Sequence, residues 1–270
     1  MAKVSVVICC ADAAATLPAA LASARWADEV LVVDSGSRDE TARIAQEGAD
    51  RYVVEPWRGY TAQKQFAVEL ARNDWIFILD GDEEVSPVLA RQLASLREDQ
   101  WEGLDVVAVR RQNWVMGRRV RAWFPDWQAR LIHRRRAVWE DDALHDTCHP
   151  GHPSRGLKLS GHLEHKRVGA TDWSDYFSGR RLDERLRPVA EQMYDRGKRA
   201  SAWSLVLRPW GAFWKFYLIK RGFLDGTFGL LIAQKAAVSV QLKYAALWAV
   251  QQERAAAEAA PSGAAAERPL

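Results

Sequence analysis

A buried strand that ends in carboxylates constrains this chain most. Residues 75–79 are Trp-Ile-Phe-Ile-Leu, and Asp80, Gly81 and Asp82 follow them directly. A continuous apolar run of this length is typical of a strand covered on both faces, as in a parallel sheet. Ligands of such sheets bind beyond the carboxyl ends of the strands. Two carboxylates at this place suit Mg2+ or Mn2+, although a solvated acidic turn has the same sequence.

Strands and helices alternate along the N-terminal part of the chain. Apolar strand patterns lie at 3–9, 29–33, 51–54, 75–79 and 105–110, and helical patterns lie at 13–27, 39–46, 61–72 and 86–97. A chain that alternates in this way forms right-handed βαβ units. The predicted fold class is therefore α/β, with a mostly parallel sheet flanked by helices.

Helical periodicity replaces this alternation from Asp172 onward. Helices are predicted over 173–200, 203–221 and 227–253. The change of pattern predicts three parts, which are a ligand-binding and catalytic domain at 1–170, a helical and aromatic-rich region at 171–253, and a disordered tail at 254–270.

Composition limits the functions open to the chain. It has 270 residues, a formal net charge of +3, 13 Trp and 3 Cys. The charge is too small to indicate nucleic acid as a partner, and three Cys do not make the disulfide framework of a secreted protein. The chain enters a strand pattern at Val4 without the basic start of a signal peptide. No stretch reaches the roughly 18 uncharged apolar residues of a membrane-spanning helix, so we expect a cytoplasmic, reducing environment.

A further carboxylate follows another buried strand. Asp34, Ser35 and Gly36 come directly after the apolar run 30–33. The carboxylate of Asp34 can accept hydrogen bonds from a nucleobase or a ribose, and the two small residues let a nucleotide approach. The same residues also suit a helix N-cap and its turn. The chain has neither the G-x-G-x-x-G motif nor the P-loop motif, so dinucleotide binding and ATP hydrolysis are not indicated.

Several segments together resemble the family 2 glycosyltransferases of the GT-A fold. They lie at 4–8, 28–41, 59–65 and 80–83, and they include Asp34-Ser35-Gly36-Ser37, Gln63-Lys64-Gln65 and Asp80-Gly81-Asp82-Glu83. Later segments resemble the lipopolysaccharide core β-glucosyltransferase branch of that family, and they lie at 113–117, 123–126, 130–132, 144–146 and 222–226. The resemblance covers residues 4–250, roughly, and leaves out only the tail.

The resemblance implies an activity and its cofactors. The activity is the inverting transfer of a hexose, with glucose as the family-based expectation, from a nucleotide-sugar to a lipopolysaccharide core or a related glycolipid. The donor implied first is a UDP-sugar, and the implied cofactor is a divalent cation, Mg2+ or Mn2+.

The resemblance also implies roles for individual residues. Carried over to this sequence, the nucleotide-binding residues are Asp34, Ser35, Gly36, Lys64 and Asp80. Asp82 and Asp80 would hold the metal on the diphosphate. One departure lies after the first strand, where Asp12-Ala13-Ala14 stands in place of the usual Asn-Glu-Glu.

Direct displacement at the anomeric carbon requires a base that takes the proton of the acceptor hydroxyl. The acidic run at 140–146 supplies the candidates. Asp146 is the first choice, because family branches carry a carboxylate directly after the His, and Asp142 is the second. His145 and His165 are candidates for a further metal ligand, although each also suits a structural hydrogen bond.

Two segments combine bases with aromatic residues. Residues 110–136 carry nine Arg against one acid, Asp126. This suits a phosphorylated acceptor or anionic lipid, or else a solvated surface. Within it, Arg130 is expected to reach the diphosphate. Residues 203–221 suit a helix in the membrane interface, with packing inside the domain or a dimer as the alternatives. We therefore expect a peripheral protein on the cytoplasmic face of the inner membrane, with a lipid-linked glycan acceptor and no nucleic acid partner.

Three alternatives remain open at this point. A transferase could instead act on a polyprenyl-linked or capsule intermediate. A nucleotidyltransferase has a similar sheet and acidic metal site, but this chain lacks its glycine-rich phosphate loop after the first strand. A non-enzymatic basic adaptor that binds anionic lipid or nucleic acid would show no affinity for a nucleotide-sugar, and its binding would depend steeply on salt.

Overall fold

The computed structural model describes residues 2–96, 98–139, 148–151, 157, 159–166 and 179–259. The chain divides into two compact units, Met1–Phe177 and Ser178–Leu270. The first unit contains the sheet, and the second is helical in its described residues.

Strands and helices alternate in the first part of unit one, as the sequence predicts. The strands are β1 Val4–Cys10, β2 Glu29–Asp34, β3 Arg51–Val54, β4 Trp75–Asp80, β5 Glu83–Val85, β6 Val106–Val115, β7 Arg118–Arg119, β8 Asp126–His133, β9 Ala137–Trp139, β10 Cys148–Pro150 and β11 His162–Lys166. The helices are α1 Leu17–Ser23, α2 Thr41–Gly48, α3 Tyr60–Leu70, α4 Pro87–Ala94 and α5 Glu98–Trp101. Helix α1 is shorter than its predicted range, and β6 continues beyond its predicted end at Arg110.

One sheet carries these strands except β9 and β10, which pair with each other. The order is β3-β2-β1-β4-β8-β6-β11-β5, with β7 paired to β6. The four strands β3, β2, β1 and β4 are parallel. Strand β8 joins β4 and β6 in the antiparallel sense, and β11 runs parallel to β6. The carboxyl ends of β1, β2 and β4 therefore meet at one edge, where ligands of α/β sheets bind.

The parallel strands are buried on both faces. Val6, Ile8 and Phe77 belong to a core that includes residues of α1 and α4. Val7 and Ile78 belong to a second core with residues of α3. Because alternate residues of a strand point to opposite faces, a strand between two cores is continuously apolar. Truncating a fully buried Phe costs about 3–5 kcal/mol, so these cores fix the strand ends firmly.

The described part of the second unit contains α6 Gly179–Asp195, α7 Ala202–Trp214 and α8 Gly226–Ala259. Both α6 and α7 pack against α8. Helix α7 begins at a capping box in which Ser201 and Ser204 bond each other's backbone N–H groups. Helix α8 ends at Ala259, so residues 254–259, which the sequence assigns to the disordered tail, are helical.

The predicted helix over 203–221 is not a single α-helix. After Trp214 the chain continues as a π-helical turn, Lys215–Ile219, and then as a 3-10 turn, Gly222–Asp225. Gly222 is required at this connection, because a Cβ there would lie 2.7 Å from the carbonyl oxygen of Phe216.

Within the described residues, one helical segment is long and apolar enough to cross a membrane by length and composition. It spans Gly222–Glu258, its best window has a mean hydropathy of 1.2, and 22% of that window is buried. The expected absence of a run of roughly 18 uncharged apolar residues still applies to this segment. Lys235 and Lys243 interrupt the segment, so it contains no long uncharged run.

Candidate active site

Asp34 and Asp80 lie on either side of the C-terminal end of β1. In the parallel register, Asp34 pairs with Cys10 and Asp80 pairs with Cys9. The two carboxylates assigned to the nucleotide are therefore held at one sheet edge by consecutive residues of the strand between them. Burial, assisted by the charge of Asp34, raises the pKa of the Cys10 thiol well above its usual range, so this thiol stays neutral.

Asp34 is buried beneath its own loop. Its Oδ1 accepts hydrogen bonds from the backbone N (3.0 Å) and the hydroxyl (2.5 Å) of Ser37. Its Oδ2 accepts one from the hydroxyl of Tyr52 at 2.8 Å. Burial and this bond raise the pKa of Tyr52 to about 12, so the hydroxyl keeps its proton and donates it. Gly36 has φ +90° with open space around it, and with Ser35 it forms the accessible top of the loop.

Asp12 ties the loop after β1 to the loop after β2. Its Oδ1 accepts from the backbone N of Arg38 at 2.8 Å, and its own N donates to the hydroxyl of Ser37 at 2.8 Å. Asp12 adopts the left-handed conformation, with φ +47°, which Asp tolerates better than most residues. Asp12 thus has a structural role where the family pattern has Asn, and it braces the Asp34 loop.

Asp80 is held between two cations. Lys64 Nζ lies 2.6 Å from Oδ1, and Arg130 Nη2 lies 2.7 Å from Oδ2. Burial acts to raise the pKa of Asp80, but Arg130 and Lys64 outweigh it and hold that pKa far below its usual range. Lys64 comes from α3 and Arg130 from β8, so three separate elements meet at this carboxylate.

Glu83 extends this arrangement and has no exposed surface. Its Oε1 accepts from Nη2 of Arg130 at 2.6 Å and from Nη1 of Arg111 at 3.1 Å, and its Oε2 accepts from the backbone N of Asp80 at 3.3 Å. The sequence alone indicates no role for Glu83 or Arg111. The available signal was that Glu83 continues the Asp80-Gly81-Asp82 turn, whereas Arg111 reaches it only through the pairing of β6 with its neighbouring strands.

His165 lies on β11 and is buried between Asn113 and Asp82. Its Nδ1 is 2.6 Å from Oδ1 of Asn113, and its Nε2 is 3.2 Å from Oδ2 of Asp82. The other end of the Asn113 amide donates from Nδ2 to Oδ2 of Asp126 at 2.9 Å. Asp126 also accepts from Nε of Arg111 at 2.9 Å. Asn113 and Asp126 are further site residues that the sequence alone does not indicate.

These contacts fix the tautomer of His165. The carboxylate of Asp126 can only accept, so the amide NH2 of Asn113 faces Asp126 and the amide oxygen faces His165. Nδ1 of His165 must therefore carry the ring proton. Its Nε2 lies 3.2 Å from Oδ2 of Asp82, and this approach is favourable with either a proton on Nε2 or a cation between the two groups.

A divalent cation fits this pair. An imidazole lone pair and a carboxylate are both metal ligands, and Mg2+ or Mn2+ typically takes one or two carboxylates together with phosphate oxygens and water. Within the described ranges, no group of three or more His, Cys, Asp and Glu side chains could hold a metal ion. Asp82 and His165 would thus supply two ligands, with the rest from the diphosphate and water. Asp80, whose two oxygens meet Lys64 and Arg130, suits the metal less well than the sequence suggests.

The basic segment 110–136 separates into groups with different surroundings. Arg111 and Arg130 belong to the site. Arg134 bonds the carbonyl oxygens of Ala71 and Asn73, and Arg136 bonds Asp105 and the carbonyl of Leu104. The exposed bases are Arg118, Arg119, Arg121 and Arg135. The segment is therefore not one uniform basic face.

Three of the predicted site residues cannot be placed. Asp142, His145 and Asp146 lie outside the described residues. The structure brings together Asp34, Lys64, Asp80, Asp82, Arg130 and His165 around the edge formed by β1, β2 and β4 and the adjoining strands.

Comparison with known protein families agrees with this architecture. The family model described as "Glycosyl transferase family 2" matches residues 5–155, which is more than half of the chain. The chain therefore belongs to the family 2 glycosyltransferases. Its mixed sheet with flanking helices and a C-terminal helical region is the GT-A-type α/β fold that the sequence predicts.

Relatives match along most of the chain. The lipopolysaccharide core biosynthesis glycosyltransferase LpsC of Rhizobium meliloti (strain 1021) is 28% identical over 258 residues, covering 90% of this chain and 91% of that protein. An uncharacterized glycosyltransferase of Rickettsia bellii (strain RML369-C) is 27% identical over 244 residues, covering 85% and 80% of the two chains. Similarity to LpsC thus extends well beyond the family domain and into the helical unit.

Solved structures are similar at lower levels. S. aureus TarS 1-349 is 13% identical with a TM-score of 0.45, covering 93% of this chain and 92% of that one. Glucosyl-3-phosphoglycerate synthase from Mycobacterium tuberculosis, solved with Mn2+, uridine diphosphate and glucosyl-3-phosphoglycerate, is 21% identical with a TM-score of 0.32. That match covers 42% of this chain and 44% of the synthase.

Proposed function

We propose that this glycosyltransferase carries out a metal-dependent, inverting transfer of a hexose from a nucleotide-sugar to a lipopolysaccharide core or related glycolipid. The observation that carries the proposal is the 3.2 Å approach of His165 Nε2 to the Asp82 carboxylate, beside an Asp80 held by two cations. A nucleotide diphosphate needs both features, which are a place for a divalent cation and fixed positive charge.

The donor would be held by three groups of residues. The nucleobase would bind at the open loop of Ser35 and Gly36, which the buried Asp34 supports from beneath. Lys64 and Arg130 present positive charge at the end of β4. The first-choice donor is a UDP-sugar, with glucose as the hexose.

A cation bound by Asp82 and His165 would neutralise charge on the leaving diphosphate. The chain's own residues prepare this site before any ligand arrives. Asn113 sets the tautomer of His165, and Glu83 holds Arg130 and Arg111 in place through buried ion pairs. Fixed charges that need no rearrangement during the reaction are the most effective ones.

Asp146 is proposed as the base that deprotonates the acceptor hydroxyl, with Asp142 as the second choice. His145 stays a candidate metal ligand. Asp146→Asn should leave Mn2+-dependent UDP binding unchanged and reduce turnover at least a hundredfold, since a positioned base contributes about 10²–10⁴-fold. Full turnover by this variant, with loss of turnover in Asp142→Asn, would move the base to Asp142.

A lipopolysaccharide-type acceptor is supported by the similarity to LpsC across 90% of the chain. The exposed bases Arg118, Arg119 and Arg121 suit a phosphorylated core sugar. A polyprenyl-linked or capsule intermediate is the second candidate and would also be lipid-linked. We place the enzyme on the cytoplasmic face of the inner membrane, where such acceptors and the nucleotide-sugars meet.

Thermal stabilisation by nucleotide-sugars tests the proposal most simply. A ligand that binds only the folded state raises its stability, by about 2.7 kcal/mol at a hundred times its Kd. UDP-, GDP- and ADP-sugars are compared with and without Mn2+. The proposal expects Mn2+-dependent stabilisation, strongest with a UDP-sugar. Absence of stabilisation by all three would remove the donor assignment.

A further inference from the structure

Helix α7 presents a continuous apolar stripe to solvent. Its members recur every three or four residues, so they lie on one face of the helix and of the turn that follows it. We call this set the α7 stripe: Trp203 (74% exposed), Val206 (55%), Leu207 (56%), Trp210 (59%), Trp214 (45%) and Leu218 (49%). Large apolar residues scattered singly on a surface need no explanation, but a continuous stripe marks an interaction surface.

The opposite face of α7 is already used. Pro209 is buried, Leu205 and Phe213 are half-buried, and the helix packs along α8. The guanidinium of Arg208 lies 4.9 Å from the ring centre of Tyr244 on α8. Packing within the unit therefore fixes which way the α7 stripe points, and among the described residues of the second unit nothing covers the stripe.

The charge around the stripe is of one sign. Between Asp195 and Asp225 the chain has seven Lys or Arg and no Asp or Glu. All seven bases are exposed, and they lie before, within and after α7: Arg196, Lys198, Arg199, Arg208, Lys215, Lys220 and Arg221. A surface that combines exposed Trp with uniformly basic charge complements the acyl boundary and the headgroups of an anionic bilayer.

We infer that the α7 stripe lies in the interface of an anionic phospholipid bilayer, with the helix parallel to the membrane plane. Its 13 residues extend only roughly 20 Å at 1.5 Å per residue, too short to cross a hydrocarbon core of about 30 Å. The aromatic residues would sit at the acyl boundary and the bases at the phosphates. This inference deepens the proposed membrane location and rests on the proposed lipid-linked acceptor for its setting, but its test does not use the transferase site.

A second copy of the chain fits the stripe less well than a bilayer does. Two copies facing each other across α7 would bring seven exposed bases opposite seven more without an acid between them in this segment. Like charges placed opposite each other suppress association, whereas anionic headgroups neutralise them.

The test is co-sedimentation of the full-length protein with vesicles. Neutral phosphatidylcholine vesicles are compared with vesicles that contain one quarter phosphatidylglycerol. The wild type should bind the anionic vesicles, and binding should weaken as NaCl rises because exposed charge interactions are screened. Trp203→Ala/Trp210→Ala should abolish binding. Lys215→Gln/Lys220→Gln should weaken it on the order of tenfold, since each base near an anionic surface contributes.

Matched controls separate specific from general effects. Trp248→Ala removes a Trp on α8 that is 50% exposed but lies outside the stripe, and Arg25→Gln/Arg91→Gln removes two exposed bases of the first unit. Both should bind like the wild type. The inference is overturned by wild-type binding in Trp203→Ala/Trp210→Ala, or by equal binding to neutral and anionic vesicles. It is also overturned if alkaline carbonate fails to extract the protein, which would indicate that α8 crosses the bilayer.

Two further measurements, of oligomeric state and of UDP binding, complete the test. Sedimentation velocity without lipid should show the same oligomeric state for wild type and Trp203→Ala/Trp210→Ala; dissociation of a wild-type dimer by this change would assign the stripe to a second copy. Mn2+-dependent UDP binding should be equal in both proteins. If the wild type binds vesicles but no UDP, the proposed donor site fails while the membrane inference stands.

Discussion

Nδ1 of His165 donates to Oδ1 of Asn113 over 2.6 Å, and this one bond determines what His165 can do. Asp126 turns the Asn113 amide so that its oxygen faces the ring. The ring is left with Nε2 toward Asp82, the position that a metal ligand would use. The sequence carries these residues on β6, β8 and β11, and only the folded sheet joins them.

The first prediction concerns this tautomer. In the metal-free wild type, 15N NMR of His165 in its neutral form should show the proton on Nδ1, and Asn113→Ala should release that preference. Loss of such a supporting contact costs about 10–100-fold in metal affinity, so Mn2+ binding to the variant should weaken by that factor. Gln128→Ala is the control, because Gln128 Nε2 contacts the same Asp126 at 2.8 Å without touching His165. A proton on Nε2 in the wild type would contradict the assignment.

The second prediction contrasts two neighbouring glutamates. Glu83 is fully buried between Arg111 and Arg130, whereas the pair of Glu84 with Lys166 is 30% and 49% exposed. Breaking a buried charge pair leaves an uncompensated charge, so Glu83→Gln should lower the free energy of unfolding by about 3–5 kcal/mol. Glu84→Gln should cost about 0–1 kcal/mol. Urea unfolding measures both; equal effects would mean that the Glu83 network does not support the fold.

The third prediction is a pH dependence. The pKa of Asp80 is lowered in the folded state by Arg130 and Lys64, against the effect of burial. A lowered carboxyl pKa stabilises the fold above the unfolded value of about 3.9, and this contribution is lost as pH falls below it. The wild-type free energy of unfolding should therefore fall below pH 4, and Asp80→Asn should have a shallower slope there. Identical slopes between about pH 2 and 4 would show that Asp80 is not held ionised.

The fourth prediction tests the nucleotide end of the site. Asp34 accepts from Ser37 and Tyr52 beneath the open loop after β2, whereas Asp50 accepts from the backbone N of Val30 at the opposite edge of the sheet. Asp34→Asn removes the charge of an acceptor, and charge-assisted bonds are about twice as strong as neutral ones. UDP affinity, measured by calorimetry, should fall about tenfold in Asp34→Asn and stay unchanged in Asp50→Asn. If Asp34→Asn bound UDP as tightly as the wild type, the nucleobase would have to bind elsewhere.

The first half of the sheet was accessible from sequence because its signals are local. β1, β2 and β4 are continuously apolar, and Asp34 and Asp80 follow directly from those runs. Parallel pairing of neighbouring βαβ units then brings their carboxyl ends together without further information. His165 could be chosen from sequence only because histidine is a common metal ligand, since its position in the sheet was not predicted.

The remaining site depends on pairings between distant residues. Strand β6 continues beyond Arg110 to Val115, but this extension was not predicted. Its residues Arg111 and Asn113 face the site, and such polar residues interrupt the apolar pattern that marks a strand. Asn113 reaches His165 only because β11 pairs with β6 in the register that sets these two residues opposite each other. No local motif encodes that register. The π-helical turn after Trp214 was missed because residues 215–219 continue a helical pattern, whereas Gly222 and Gly226 mark the break that follows.

The most direct test of the central claim measures Mn2+-dependent transfer of hexose from a UDP-sugar to a lipopolysaccharide core acceptor. The wild type is compared with Asp82→Ala, and Glu84→Gln is the control at a neighbouring carboxylate. Wild type and Glu84→Gln should turn over only with the divalent cation present. Asp82→Ala should keep its fold by circular dichroism and lose both Mn2+-dependent UDP binding and turnover. Undiminished, Mn2+-dependent turnover by Asp82→Ala would contradict the account.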